Sequence, residues 1–300
     1  MNEKNNIKKA GYEIKLDERE GYCRLFPLPS EEELREFYRR EFYKKNYDGQ
    51  KNDSASEVRE EEEKLFRDLR FEDIIETIEE EIKEKKIIDI GCGYGNFLSF
   101  CHERKYAVTG IEPGQQAVDY IRKRYSFKVI QSGIEDINEK VSEKFPAAAL
   151  LDVLEHLREP AKVLTGIRDN ILEDRGVLVV RTPNEFNPLQ LIADKEYKLN
   201  HWWVSCPDHV NYFTVNHLEK LVEKCGFEVF LKESSFPLEM FLLFGDQYVG
   251  DTRLGREVHN KRVRLEKTLK KYDNNFKRKL FRSFADLGIG REITIYARKK

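Results

Sequence analysis

From Lys86 onward, short apolar runs alternate with stretches of amphipathic spacing. Ile87–Ile90, Ala107–Glu112, Lys128–Ile130, Ala147–Leu151 and Val177–Arg181 read as strands, with helices beginning near Asn96, Gly114, Ile137 and Glu159. Alternation of this kind predicts an α/β fold built on a parallel sheet. After Thr182-Pro183-Asn184 an irregular aromatic stretch runs to Phe213. A helix over residues 216–225, stopped by Gly226, and a strand over Phe227–Lys232 follow it. Leu254, Val258, Leu265 and Leu269 are spaced for a helix, and residues 291–298 close the chain as a seventh strand.

The first 80 residues read as polar and helical. Ser30-Glu31-Glu32-Glu33 has the form of a capping box. The helix behind it carries Phe37, Tyr38, Phe42 and Tyr43, with Tyr47 beyond, either as a lid or as a helix packed on the sheet. A second helix carries Leu65, Leu69, Ile74, Ile75, Ile78 and Ile82, with an acidic opposite face. The expected organisation is an N-terminal helical extension over 1–84 and a main domain over 85–300. Within the latter, 185–215 reads as a substrate-side insertion and 236–287 as a helical insertion before the last strand.

Charge narrows the partners. Lys and Arg number 53 against 55 Asp and Glu, which disfavours a strongly basic polyanion binder. The charge is unevenly placed, however. Residues 53–84 hold 14 acidic and 5 basic side chains, while residues 251–282 hold 12 basic and 4 acidic. Two solvated helical faces turned toward each other would account for this. So would a basic rim for a phosphorylated or nucleotide-linked acceptor, or an RNA surface. The five cysteines are odd in number and contain no CxxC pair, which argues against a disulfide framework and fits a reducing, cytoplasmic setting. No secretory signal and no apolar run near the roughly 18 residues of a membrane span are found.

Ile87-Ile88-Asp89-Ile90-Gly91-Cys92-Gly93-Tyr94-Gly95-Asn96 carries the strongest chemistry. A strand runs through glycines into a helix N-terminus, a device for bringing backbone close to a ligand. The spacing is GxGxG behind an acidic residue. A dinucleotide fingerprint would need its third glycine at 96, where Asn stands. Together with four later segments, this loop resembles motif I of the class I S-adenosylmethionine (SAM)-dependent methyltransferases. Gly110-Ile111-Glu112-Pro113 resembles their second motif, and Ser132-Gly133-Ile134-Glu135-Asp136 sits where that family contacts adenine. Leu151-Asp152-Val153-Leu154-Glu155-His156-Leu157 resembles the fourth motif of a widespread "DVLEHL" branch, and Gly176–Asn184 its fifth strand.

The resemblance implies a Rossmann-like, seven-stranded, mostly parallel sheet with a reversed last strand, and SAM as cofactor. It implies cofactor contacts from Asp89, Gly91, Cys92, Gly93, Gly95, Glu112, Pro113, Glu135, Asp136 and Asp152. Glu112 would accept from the ribose hydroxyls, and Glu135 or Asp136 from the adenine amino group. Tyr94 and Phe97 fit packing, and Cys92 fits a small residue in the turn.

For the reaction, His156 is a candidate general base. Alternatively, Asp152, Glu155 and His156 ligate a divalent metal, or Glu-His-Leu is a structural feature of the branch. His209 is a second candidate base, in a segment with Trp202 and Trp203 that would suit stacking on a sugar ring. The expected activity is methyl transfer to an oxygen of a small molecule such as a sugar or glycan precursor. Its rivals are a SAM-binding subunit without catalysis and an RNA methyltransferase.

Overall fold

The computed structural model describes residues 7–37 and 54–300. Tyr38, Phe42, Tyr43 and Tyr47 of the aromatic segment lie outside them. The chain begins with three strands, β1 (Ile7–Lys9), β2 (Tyr12–Asp17) and β3 (Tyr22–Phe26), and helices α1 (Glu31–Phe37) and α2 (Ser54–Glu81). It continues as β4 (Lys86–Ile90), α3 (Asn96–Glu103), β5 (Ala107–Glu112), α4 (Gln115–Arg124) and β6 (Lys128–Gln131). Next come α5 (Ile137–Lys140), β7 (Phe145–Leu151), α6 (Pro160–Gly166), β8 (Leu172–Pro183) and α7 (Pro188–Tyr197). The last part comprises β9 (Asn211–Tyr212), α8 (Val215–Lys224), β10 (Phe227–Ser234), α9 (Glu239–Leu243), α10 (Thr252–Asp286) and β11 (Glu292–Lys299).

Seven strands form the main sheet in the order β10-β11-β8-β7-β4-β5-β6. The β4, β5, β6, β7 and β8 pairings are parallel, and β11 runs antiparallel to both β8 and β10. The strands have the alternation their pleat requires. Ile88, Ala148, Leu150, Leu178 and Val180 pack on one face, Ile87, Ala147, Ala149, Val177 and Val179 on the other. Burial on both faces explains why these strands read as continuous apolar runs. Strand order reverses between β4 and β7, which opens a crevice at their carboxyl ends where open α/β sheets bind ligands.

The N-terminus departs from the helical expectation. β1, β2 and β3 form an antiparallel sheet whose fourth strand is β9. Ala10 and Gly11, both at positive φ, turn β1 into β2. The period-two pattern Tyr12-Glu13-Ile14-Lys15-Leu16-Asp17 lies under Lys and Glu on the open side, with only Ile14 fully buried. The capping box is real: Glu33 N donates to Ser30 Oγ (3.2 Å) and Ser30 N to the Glu33 carboxylate (2.7 Å). A second departure is α7, inside the stretch expected to be irregular. Asn187 caps it, accepting from Gln190 N, and Pro188 occupies its first turn.

The two charged segments meet. Lys277 of α10 reaches both oxygens of Asp73 on α2 (2.6 and 2.9 Å), Lys270 pairs with Glu72, and His259 lies 3.3 Å from Glu63. Arg278 lies 3.9 Å from Glu76 and donates to Thr77. Part of the basic balance of 251–282, Lys270, Lys277 and Arg278, is therefore set against the acidic helix. α10 is interrupted at Asp273, whose extended backbone (φ −159°) breaks the helix and whose carboxylate caps the second half at Phe276 N (2.8 Å).

Candidate functional site

The glycine loop leaves β4 at the switch point. Gly91 N and Cys92 N both donate to Ile111 O (2.8 and 3.0 Å), tying the loop to β5. Gly91 has φ +79°, and a Cβ there would stand 2.6 Å from Val153 Cγ2. The position needs glycine for conformation and for space, and the contact puts the loop directly against the Asp152-Val153-Leu154 turn. The Cys92 side chain instead turns inward, its sulfur 2.7 Å from where a Cβ on Gly110 would stand. Its backbone faces the loop while its thiol packs in the core.

Glu112 ends β5 buried. Gly93 N donates to Oε2 (2.8 Å) and Gly114 N to Oε1 (2.7 Å), so the carboxylate bridges the glycine loop and the turn beyond β5. Pro113 is exposed between them. Asp89, also buried, has Oδ1 without a hydrogen-bond partner. Burial raises it to about 7, with Arg181 opposing and the Glu112 and Asp152 charges adding to the rise. Glu135 and Asp136 are exposed on the turn after β6, with Asp136 Oδ2 over Gly133. Asp152 sits at φ +61° and is gripped by the Arg181 guanidinium at 3.1 and 2.5 Å.

A short turn over Leu154–His156 follows. His156 Nδ1 lies 2.8 Å from the Asp208 carbonyl oxygen. A carbonyl only accepts, so Nδ1 carries the proton and Nε2 is the basic nitrogen. Burial and the neighbouring His209 ring hold His156 below the usual imidazole range. The two rings meet edge to face, centroids 5.1 Å apart. His209 Nδ1 is 3.3 Å from Glu185 Oε1, and although burial opposes it, Glu185 pushes His209 up to about 9. Glu155 is buried, accepts from Thr182 Oγ1 (2.9 Å) and lies 3.9 Å from His156 Nε2. Burial, with Asp152 beside it, drives its pKa up.

These groups are held from the N-terminal sheet, which sequence reasoning did not anticipate. Asn211 of β9 donates to the carbonyls of Leu154 (2.9 Å) and Leu157 (2.6 Å) and accepts from Arg24 Nε (2.9 Å) on β3. Val210 N donates to Glu155 O. β3 therefore fixes β9, and β9 fixes the turn bearing His156.

The metal set considered from sequence is not the one assembled. Asp152 is engaged by Arg181, and the donors that lie together are Glu155, His156 and His209, within 4.8 Å of one another. The expected aromatic platform is also corrected. Trp203 is buried among Phe186, Tyr212 and the β1–β3 sheet, and Trp202 packs edge-on against it (4.8 Å). Beside the site, a small open cleft lies between α2, α10 and the ends of β8 and β11, with Arg70, Arg181, Glu266 and Glu292 in its wall. Arg70 holds Glu292 in a two-pronged ion pair.

A family model described as a methyltransferase domain matches residues 62–232. The chain belongs to that family, and with this strand order it is a class I SAM-dependent methyltransferase. Over 150 residues it is 27% identical to the ubiquinone biosynthesis O-methyltransferase of Aeromonas salmonicida (strain A449), covering 47% of this chain and 62% of that protein. Over 122 residues it is 29% identical to the tRNA U34 carboxymethyltransferase of Helicobacter pylori (strain G27), covering 37% and 45%. The chain thus spans about half to two thirds of the length of such curated relatives. A SAM-dependent methyltransferase from Archaeoglobus fulgidus shares the fold, with TM-score 0.51 and 18% identity over 78% of this chain and 94% of that one. The cofactor is SAM. The residues present fit it: a glycine loop whose Gly91 leaves no room for a Cβ, a buried Asp89 oxygen without a hydrogen-bond partner for a cation, and the Glu112 carboxylate at the strand end. Among the described residues, no helix is long and apolar enough to cross a membrane.

Proposed function

We propose that this chain transfers a methyl group from SAM to a hydroxyl oxygen of a small polar acceptor, with His156 as general base. Bound SAM supplies an electrophilic methyl group whose leaving group is a neutral thioether. The protein's tasks are then to align the acceptor and take its proton. The observation that carries the reading is the His156 ring itself. Its Nδ1–H is fixed on the Asp208 carbonyl, which leaves Nε2 as the basic nitrogen, and its turn abuts the glycine loop through Val153. Glu155 lies beside Nε2, at 3.9 Å.

A divalent cation held by Glu155, His156 and His209, whose donor atoms lie within 4.8 Å of one another, is the second reading. The test is S-adenosylhomocysteine release from SAM with a panel of hydroxylated acceptors, in EDTA, for the wild type and His156→Ala. Turnover that survives EDTA and is lost in the variant supports the reading. Turnover untouched by the substitution refutes it.

A further inference from the structure

Seven buried polar atoms without hydrogen-bond partners gather beyond His209, in a part of the fold the reaction above does not use. They are both oxygens of Glu239, both side-chain heteroatoms of Gln190, Glu185 Oε2, Asn184 Oδ1 and Arg291 Nη1. Glu239, Gln190 and Asn184 have no solvent exposure, and Glu185 has 1%. Backbone contacts bring them together. Asn184 N donates to Arg291 O (3.0 Å), Asn184 Nδ2 donates to Gly288 O and Gly290 O, and α7, bearing Gln190, packs on α9, bearing Glu239. Arg291 faces the carboxylates of both Glu239 and Glu185. Glu185 also touches His209, whose ring meets His156, so the cluster is joined to the proposed reaction centre.

Buried polar groups are nearly always satisfied, by protein, water or ligand. Here the kind of atom left over is informative. Five are acceptors: Glu239 Oε1 and Oε2, Glu185 Oε2, Gln190 Oε1 and Asn184 Oδ1. Two are donors: Gln190 Nε2 and Arg291 Nη1. Exchanging the two ends of the Gln190 amide leaves the tally unchanged. A phosphate or carboxylate ligand, itself an acceptor, would find two donors and be set against two carboxylates. A ring bearing several hydroxyl groups brings a donor with each oxygen and accepts as well.

Resting on the methyl-transfer reading, we propose that Glu239, Gln190, Glu185 and Arg291 form an acceptor subsite for an uncharged polyhydroxylated ring of the sugar or cyclitol class, with the carboxylates taking its hydroxyl protons in hydrogen bonds. Buried carboxylate oxygens without a hydrogen-bond partner in the ligand-free protein are a stability cost kept for binding.

The experiment is calorimetric titration of the full chain, saturated with S-adenosylhomocysteine, with myo-inositol and methyl glucoside. Glucose 1-phosphate, catechol and spermidine serve as contrasting probes, and each variant's melting temperature is measured without acceptor. The expected result is binding of the uncharged polyols only. In Glu239→Gln that binding weakens at least about tenfold, about 1.4 kcal/mol. S-adenosylhomocysteine affinity stays within about twofold and the melting temperature does not fall. Gln190→Leu serves as a second variant should Glu239→Gln fail to fold, with the same expectation. Binding of catechol, spermidine or the phosphate in place of the polyols overturns the assignment. So does absence of any probe binding, or a lowered melting temperature in both variants with polyol binding intact, which would make the groups structural. Failure of the wild type to bind S-adenosylhomocysteine would instead overturn the methyl-transfer reading on which the subsite rests.

Discussion

The Nδ1 atom of His156 lies 2.8 Å from the main-chain oxygen of Asp208, 52 residues further along the chain. This one contact fixes the tautomer. His156→Ala is expected to lower kcat on the order of 10²- to 10⁴-fold with little change in SAM affinity. Because burial and His209 hold the ring below the usual imidazole range, it stays neutral further into acid. The acid limb of the kcat profile should therefore fall below the ordinary histidine value of about 6.5. A rate–pH series on wild type and variant checks both.

Glu112 accepts from two backbone N–H groups at once, one on either side of the cofactor crevice. Glu112→Gln replaces one accepting oxygen with a donor and sets it against an N–H. A loss of about 1.5–3 kcal/mol in SAM binding is expected, measured by calorimetry. Circular dichroism should show the fold retained.

Asp89 is raised to about 7 in the ligand-free protein, chiefly by burial. A raised carboxyl favours its protonated form, so ionising it costs folding stability. That cost is absent below the ordinary value of about 3.9 and complete once pH passes about 7. A bound cationic ligand reverses the preference and drives the proton off. SAM affinity should rise with pH up to about 7 and then level. Titrations at pH 6 in buffers of different ionisation heat should report release of about one proton. Asp89→Asn should abolish both effects.

Lys277 and Asp73 are nearly withdrawn from solvent, at 2% and 14% side-chain exposure, and join α10 to α2. Lys277→Met leaves a buried carboxylate unanswered and should destabilise by about 3–5 kcal/mol. The double variant Asp73→Ala, Lys277→Met should recover most of that loss. Chemical denaturation of the singles and the double measures the coupling.

Gly91→Ala forces a Cβ to within 2.6 Å of Val153 at a positive φ. A loss of about 1–3 kcal/mol in stability is expected, with SAM binding weakened as the loop shifts. Val153→Ala in the same background should restore part of it, since it removes the atom in collision.

The parallel strands were legible because burial on both faces makes each an unbroken apolar run, and the reversal between β4 and β7 then located the crevice. β1 to β3 were not. The strands are short, and of the alternating positions Tyr12, Ile14 and Leu16 on β2 only Ile14 is fully buried. α7 was hidden differently. Its Asn187-Pro188 cap was readable, yet it buries Gln190 and Ala193 while Leu191 and Ile192 face outward, the reverse of an amphipathic helix. At the site, His156 and His209 each stood out by type, but their pairing did not. The residues that orient and charge them, Asp208, Glu185, Asn211 and Arg24, belong to segments that only the folded chain brings together.

The ladder between β3 and β9 is only two residues long, Cys23 opposite Tyr212 and Arg24 opposite Asn211. Beyond it, Leu25 N donates to Val210 O (3.0 Å), and Trp203, Val204 and Tyr212 pack with Ile7, Ile14 and Leu25. β1, β2 and β3 thus act as a brace on the segment bearing His209. That brace is also seated in the main core, since Tyr22 is 1% exposed and packs against Phe213 (ring centroids 4.8 Å apart). The crevice that takes the cofactor is built from the seven-stranded sheet, and the histidine turn beside it is steadied by a second, smaller sheet.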